Sequence, residues 1–518
     1  MGYQQMSIHI LTVVVNKKVA VVHNGIIENY AVLKDELIEK GYIFSSDTDS
    51  EVAAQLFSYL YTGDLLETIM KVRDRIRGSY ALGIIHEEQP DKIICTRKES
   101  PLIIGLGKDK NFIASDVPAI LKYTRDVIFL ENDEIAVIEE GKVTVFDKEG
   151  KPIEKEVTKI EWDMEQASKN GYPHFMLKEI EEQPAVVERT LEVYIKPDGK
   201  VDFGKAFEKI DFEKIKEIDI IACGTAYHAG LQAAYFFKKM AKIKTNVDIA
   251  SEFRYSDPFL SEDNLVIFIS QSGETLDTLM ALKLARSKGA KTLAITNVVG
   301  STISREADVV LYTVAGPEIS VASTKAYTTQ VVTFYLLALY VAFKCNRVTL
   351  EEYESYLDKI YSLSEKIGKM FFNKEKIEKI AQEVKDRKNG FYIGRGIDEK
   401  ITREGSLKMK EITYIHTEAF PAGELKHGPI ALIEEGTMIV VVSTQRDMVE
   451  KVASNIKELK ARGAFVISVT KADYKEILDV SDRVILIDDI DDMVAPLLSM
   501  IPLQLLSYYT AVAKRSGC

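Results

Sequence analysis

An order of strands and helices that occurs twice in the second half of this 518-residue chain leaves few architectures open. EIDIIACGT reads as a buried strand ending in small residues and AYHAGLQAAYFFKKMA as a helix. NLVIFIS is then a strand, QSGETLDTLMALKLARSKG a helix and KTLAITN a strand. The same series returns as NGFYIGRGI, ITREGSLKMKEITYI, GTMIVVVST, QRDMVEKVASNIKELKARG and AFVISVT. Apolar strands alternating with helices of this length build a parallel sheet covered on both faces. The repetition predicts two tandem doubly wound α/β domains, with Cys223-Gly224-Thr225 matched by Gly394-Arg395-Gly396 and Ser270 by Ser443.

The copies differ where chemistry is expected. In the first, NLVIFIS opens into Ser270-Gln271-Ser272-Gly273-Glu274-Thr275 before the next helix. Free N–H groups and the positive end of a helix dipole bind phosphate, the hydroxyls add donors, and Gly273 admits close approach of the backbone. Ordinary Ser/Thr capping accounts less well for so many polar groups at one strand end. No G-x-x-x-x-G-K-[ST] pattern is present, which favours a sugar phosphate over a nucleotide. STQRDM in the second copy lacks the glycine and is expected not to bind phosphate.

Before residue 150 the texture is different. Short β-branched runs separated by turn pairs, with helices such as DSEVAAQLFSYLY, predict an α+β layer with antiparallel sheets. VVHNGIIENY has two readings. Asn-Gly between apolar runs is a strong hairpin signal; alternatively the Asn24 amide and the Gly25 N–H form an oxyanion hole for acyl transfer. Residues 151–205, including KNGYPHFMLKEIEEQP, read as a linker with a docking helix. The expected division is 1–150, 151–205, 206–350, 375–508 and a tail at 509–518.

A net charge of −12 disfavours nucleic acid and anionic membrane surfaces as partners. Cys95, Cys223, Cys345 and Cys518 form no C-x-x-C pair, so neither a metal site nor a disulfide framework is expected, and a reducing cytoplasm is. No signal peptide is visible. The run Val331 to Phe343 is too short to span a membrane, and Met493 to Ala513, with Pro496, Pro502 and Gln504, reads as a core or subunit-interface helix.

Several motifs carry a resemblance. SQSGET, ACGTAYHAG, EISVASTKAYTTQ and EGSLKMKEITYIHTEAFPAGELKHGPIALI are similar to the tandem sugar isomerase (SIS) domains of the glutamine–fructose-6-phosphate amidotransferase family. VVHNGIIEN and SSDTDSEV resemble the later part of that family's N-terminal-nucleophile glutaminase domain. The resemblance implies a partial glutaminase domain ahead of two SIS domains, and synthesis of glucosamine 6-phosphate from fructose 6-phosphate with ammonia from glutamine. It implies no cofactor, and a homodimer formed through the SIS domains. It gives Ser270, Gln271, Ser272 and Thr275 to the phosphate, and Thr225, Val321 and Ser323 to the sugar. Glu411 takes the place of the base that moves a proton between C1 and C2, a role suited to a carboxyl whose pKa is raised by partial burial. Lys408 stands where it can neutralise an enolate-like oxygen, and His427 where the ring-opening acid/base is found. Asn24 and Gly25 match the oxyanion pair, and Asp49 the anchor of the glutamine α-amino group.

The family's nucleophile is a cysteine at residue one and its tail carries a Schiff-base lysine. This chain begins Met1-Gly2 and ends AVAKRSGC, so truncation at both ends is the expectation. Two other functions compete: an ammonia-dependent phosphosugar isomerase or deaminase, and a non-catalytic phosphosugar-binding protein.

Overall fold

The computed structural model describes residues 11–15, 18–160 and 168–514. The chain start, Cys518 and the final residues of the tail, on which the expectation of truncation rests, lie outside them. The chain forms two compact units, Met1–Ala167 and Ser168–Cys518.

In the first unit, strands Leu11–Val15, Val19–Ile27, Gly78–His86, Gln89–Lys98, Ile135–Glu139, Lys142–Phe146 and Pro152–Ile153 lie side by side in that order as an antiparallel sheet. A second antiparallel sheet joins Thr158–Lys159, Asp126–Phe129, Ile103–Leu106 and Asn111–Ala114. Helix Asp49–Leu60 starts at Thr48, whose side chain accepts the Glu51 N–H. It buries Val52, Leu56 and Phe57 with Val19, Val21 and Leu82 of the large sheet. The α+β expectation holds here. The hairpin at Asn24-Gly25 does not: the pairing of Val19–Ile27 with Gly78–His86 runs unbroken through both residues.

The second unit holds two five-stranded sheets, parallel throughout. In each, the strands taken in chain order stand in the spatial order 2-1-3-4-5, so the duplication is present in the topology. The central strands Asn264–Ser270 and Met438–Ser443 are buried at every position. Both copies share one core, in which Phe236, Tyr327 and Leu336 of the first belong to the same apolar cluster as Ile401, Met409 and Leu503 of the second.

Helices Lys325–Lys344 and Ala495–Ala513 are long and apolar enough to cross a membrane, and 89% of each apolar window is buried in this core. The length argument against the first fails, because the helix begins six residues before its apolar run. Residues 151–205 are not one linker. Pro152–Ile153 and Thr158–Lys159 complete the sheets of the first unit, whereas helices Phe175–Glu181 and Gln183–Tyr194 put Met176, Ile180, Val187 and Leu191 into the core of the second.

Candidate functional site

Strand Asn264–Ser270 delivers its last side chain to the N-terminal end of helix Leu276–Ser287. The intervening turn is possible only with glycine at 273. Its φ is +68°, and a Cβ there would sit 2.0 Å from Ser301 Oγ. The Gly273 N–H donates to Ser270 Oγ at 3.0 Å, and that oxygen lies 2.9 Å from Thr275 Oγ1. Glu274, the one acid in the turn, is drawn aside by the Thr302 N–H and hydroxyl, each 2.7 Å from its carboxylate. The polar groups therefore face a cavity of about 180 Å³, bounded by Thr225, Ser270, Gln271, Ser272, Thr275 and Ser323. Val321 is not among them. The residue is 91% exposed. Gln330 also lines the cavity, with a buried carbonyl oxygen that has no partner among the described residues.

Thr225 connects this cavity to the other copy. Helix Ile397–Thr413 carries Glu404, Lys408 and Glu411 at a spacing that stacks them along one face. Lys408 Nζ lies 2.7 Å from Glu411 Oε2, 3.3 Å from Glu404 Oε1 and 3.0 Å from Thr225 Oγ1, to which it donates. The Thr225 hydroxyl in turn donates to Glu404 Oε1 at 3.0 Å, and His228 Nδ1 donates to Glu404 Oε2 at 2.7 Å. Lys408 and Glu404 are wholly buried. Burial alone would push both toward neutrality. The facing carboxylates overcome it and hold Lys408 above the usual lysine range. Lys408 and His228 likewise hold Glu404 below the usual carboxylate range.

Lys408 is thus a fixed cation beside the cavity. Glu411, for which partial burial is expected, has a third of its side chain exposed and faces that cation. His427 is exposed in the short turn Leu425–His427, and among the described residues its ring makes no hydrogen bond or ion pair. Glu404 and His228 escaped the sequence reading. The signals were available in the 404, 408, 411 row and in the three-residue step from Thr225 to His228.

The second copy fills its own seat. Asp398, in the first turn of that same helix, accepts the Thr444 N–H at 2.7 Å and the Thr444 hydroxyl at 2.6 Å, where the first copy has Gln271. Burial pushes its carboxyl up to about 6, against the pull of the Thr444 hydrogen bonds. An internal carboxylate thus takes the donors at this strand end.

In the first unit, Gly25 has φ +123° and a Cβ there would meet Ser79 O at 2.1 Å, so only glycine fits at this point of the strand. Asn24 is exposed beside it. Asp49 reaches the same strand end, where Oδ2 accepts the Ile27 N–H at 2.8 Å. The three residues are brought together. Cys95 is no nucleophile, since burial pushes its thiol up to about 12.

A tandem phosphosugar-binding unit behind an amidotransferase-type unit is what these sites define. The sequence profile described as glutamine amidotransferase domain matches residues 11–122, and that of the SIS domain matches 211–340 and 383–514. Curated glutamine–fructose-6-phosphate aminotransferases (isomerizing) from Fusobacterium nucleatum and Caldanaerobacter subterraneus are 58% and 53% identical. Each alignment covers 96% of this chain and 82% of the relative. A solved C-terminal domain of glucosamine-fructose-6-phosphate aminotransferase from Francisella tularensis superimposes with a TM-score of 0.65 at 40% identity, over 68% of this chain and 99% of that one. The chain belongs to the isomerizing glutamine–fructose-6-phosphate aminotransferase family.

Proposed function

We propose that this chain acts as its family does, converting fructose 6-phosphate to glucosamine 6-phosphate with ammonia drawn from glutamine. The observation that carries the reading is the Thr225 hydroxyl, which borders the phosphate cavity and touches both Lys408 and Glu404. A sugar held by its phosphate at Ser270, Gln271, Ser272 and Thr275 would lie against a fixed cation and a solvent-reachable carboxylate. In this reading Lys408 stabilises the oxygen that becomes negative as the C–H proton leaves, and Glu411 carries that proton between C1 and C2. Ser323 and Val321 close on the sugar. His427 opens the ring, and Asn24, Gly25 and Asp49 orient glutamine.

The domain division belongs to the proposal, with its linker now shared between the two units. So does a homodimer through the SIS domains, for which Tyr255 and Phe259, the latter fully exposed, supply apolar surface. A cytoplasmic site of action rests on the cysteines, of which Cys95, Cys223 and Cys345 are free thiols.

The test follows the proton. Incubated with fructose 6-phosphate in deuterated buffer, the chain should exchange hydrogen at C1, and Glu411→Gln should abolish the exchange while binding is kept. Unchanged exchange in Glu411→Gln would remove Glu411 from the mechanism.

A further inference from the structure

Ser323 reaches the cavity from an irregular segment, residues 313–324, between strand Val309–Tyr312 and helix Lys325–Lys344. No ladder or helix fixes its shape, so its N–H groups need other acceptors. Thr296 O and Asn297 Oδ1 accept the first of them, from Thr313 and Ala315, and two carboxylates serve the later part. Glu318 Oε1 accepts the Thr324 and Ala326 N–H groups at 2.8 and 3.1 Å, and Oε2 accepts the Ser323 hydroxyl at 2.7 Å. Glu179 Oε1 accepts the Ile319 and Ser320 N–H groups at 2.6 and 3.1 Å. Glu179 comes from helix Phe175–Glu181, which precedes both repeats, and it is 2% exposed. Beside it Glu182 pairs with the buried Lys325 at 2.7 Å, tying the same region to the segment's far end.

Glu179 is an expensive residue for a mere filler. Its Oε2 is buried with no partner among the described residues, and such an oxygen costs stability. Burial, with the Glu318 charge beside it, raises its carboxyl to about 8. A side chain needed only to fill the gap could be apolar at lower cost. What an apolar residue cannot do is accept two adjacent N–H groups and so fix the path of the chain four residues before Ser323.

We propose that Glu179 is a positioning residue for the sugar site. By holding the Ile319 and Ser320 N–H groups it sets the segment that presents Ser323, so that affinity for the sugar phosphate depends on a helix outside both repeats. The inference rests on the phosphate reading of the 270–275 turn.

Titration calorimetry with fructose 6-phosphate on the full chain, alongside thermal unfolding, separates positioning from stability. Glu179→Ala removes both acceptor contacts and should raise Kd about tenfold. Glu179→Gln keeps a carbonyl oxygen and should stay within about threefold of the parent. If Glu179→Ala does not fold, Glu179→Asp replaces it, shortening the reach by one methylene, and should also weaken binding. Parental affinity in Glu179→Ala with only a lower Tm would overturn the proposal, as would Glu179→Gln binding as weakly as Glu179→Ala. Ser272→Ala, run in parallel, tests the premise. No effect there removes the phosphate seat itself, whereas a loss there without one in Glu179→Ala sinks the positioning role alone.

Discussion

Ser272 and Thr275 place hydroxyls at a helix N-terminus, and Ser443 places one at the matching strand end of the second copy. Replacing either of the first two by alanine removes a hydrogen bond to a charged group and should weaken fructose 6-phosphate binding by about 1.5–3 kcal/mol. Ser443→Ala should leave affinity unchanged, because its buried hydroxyl has no partner among the described residues and the neighbouring donors serve Asp398. Calorimetric titration of the three variants decides it, and equal losses would put the phosphate in both copies. These hydroxyls were legible because polar residues crowd one strand end. Asn24-Gly25 was harder to read. The same pair serves a tight turn or the interior of a strand, and the choice lies with Ser79 and Ser100, distant in sequence, which leave no room for a Cβ at 25. Glu404 and His228 show in the sequence only as a helical row and a three-residue step, since the partners that join them lie 179 and 176 residues apart along the chain.

Among the elements, the three central strands of each parallel sheet are evident as apolar runs, and all four edge strands escape notice. Lys244–Ile249, Val309–Tyr312, His416–Pro421 and Arg483–Ile487 are the outer members of their sheets. An outer strand has a neighbour on one side only, so its sequence need not be a continuous apolar run. Helix Ile397–Thr413 carries the testable element-scale consequence. A carboxyl such as Asp398, whose pKa rises from 3.8 unfolded to about 6 folded, adds stability fully below the unfolded value and loses it as pH rises through the folded one. Asp398→Asn removes that dependence. Its stability relative to the parent should climb between pH 4 and pH 6, by about 1.4 kcal/mol per pH unit, and then level off. Urea unfolding at several pH values measures it, and parallel curves for the two proteins would show that Asp398 titrates normally.

At the scale of the molecule, every residue proposed to contact the sugar phosphate lies in the unit Ser168–Cys518, including the helix of Glu179. A fragment of residues 168–518 should therefore bind fructose 6-phosphate within about twofold of the full chain. A tenfold loss in calorimetry would mean that the first unit contributes to the sugar site. The repeats themselves should not be separable, because one apolar cluster spans both. The second copy also occupies its matching strand end with a group of its own. Asp398 and the row of Glu404, Lys408 and Glu411 share one helix, so the carboxylate bound to Thr444 moors the rod that bears the row. The anchor is built from the chain's own groups, so the row is held in place whether or not a ligand has arrived.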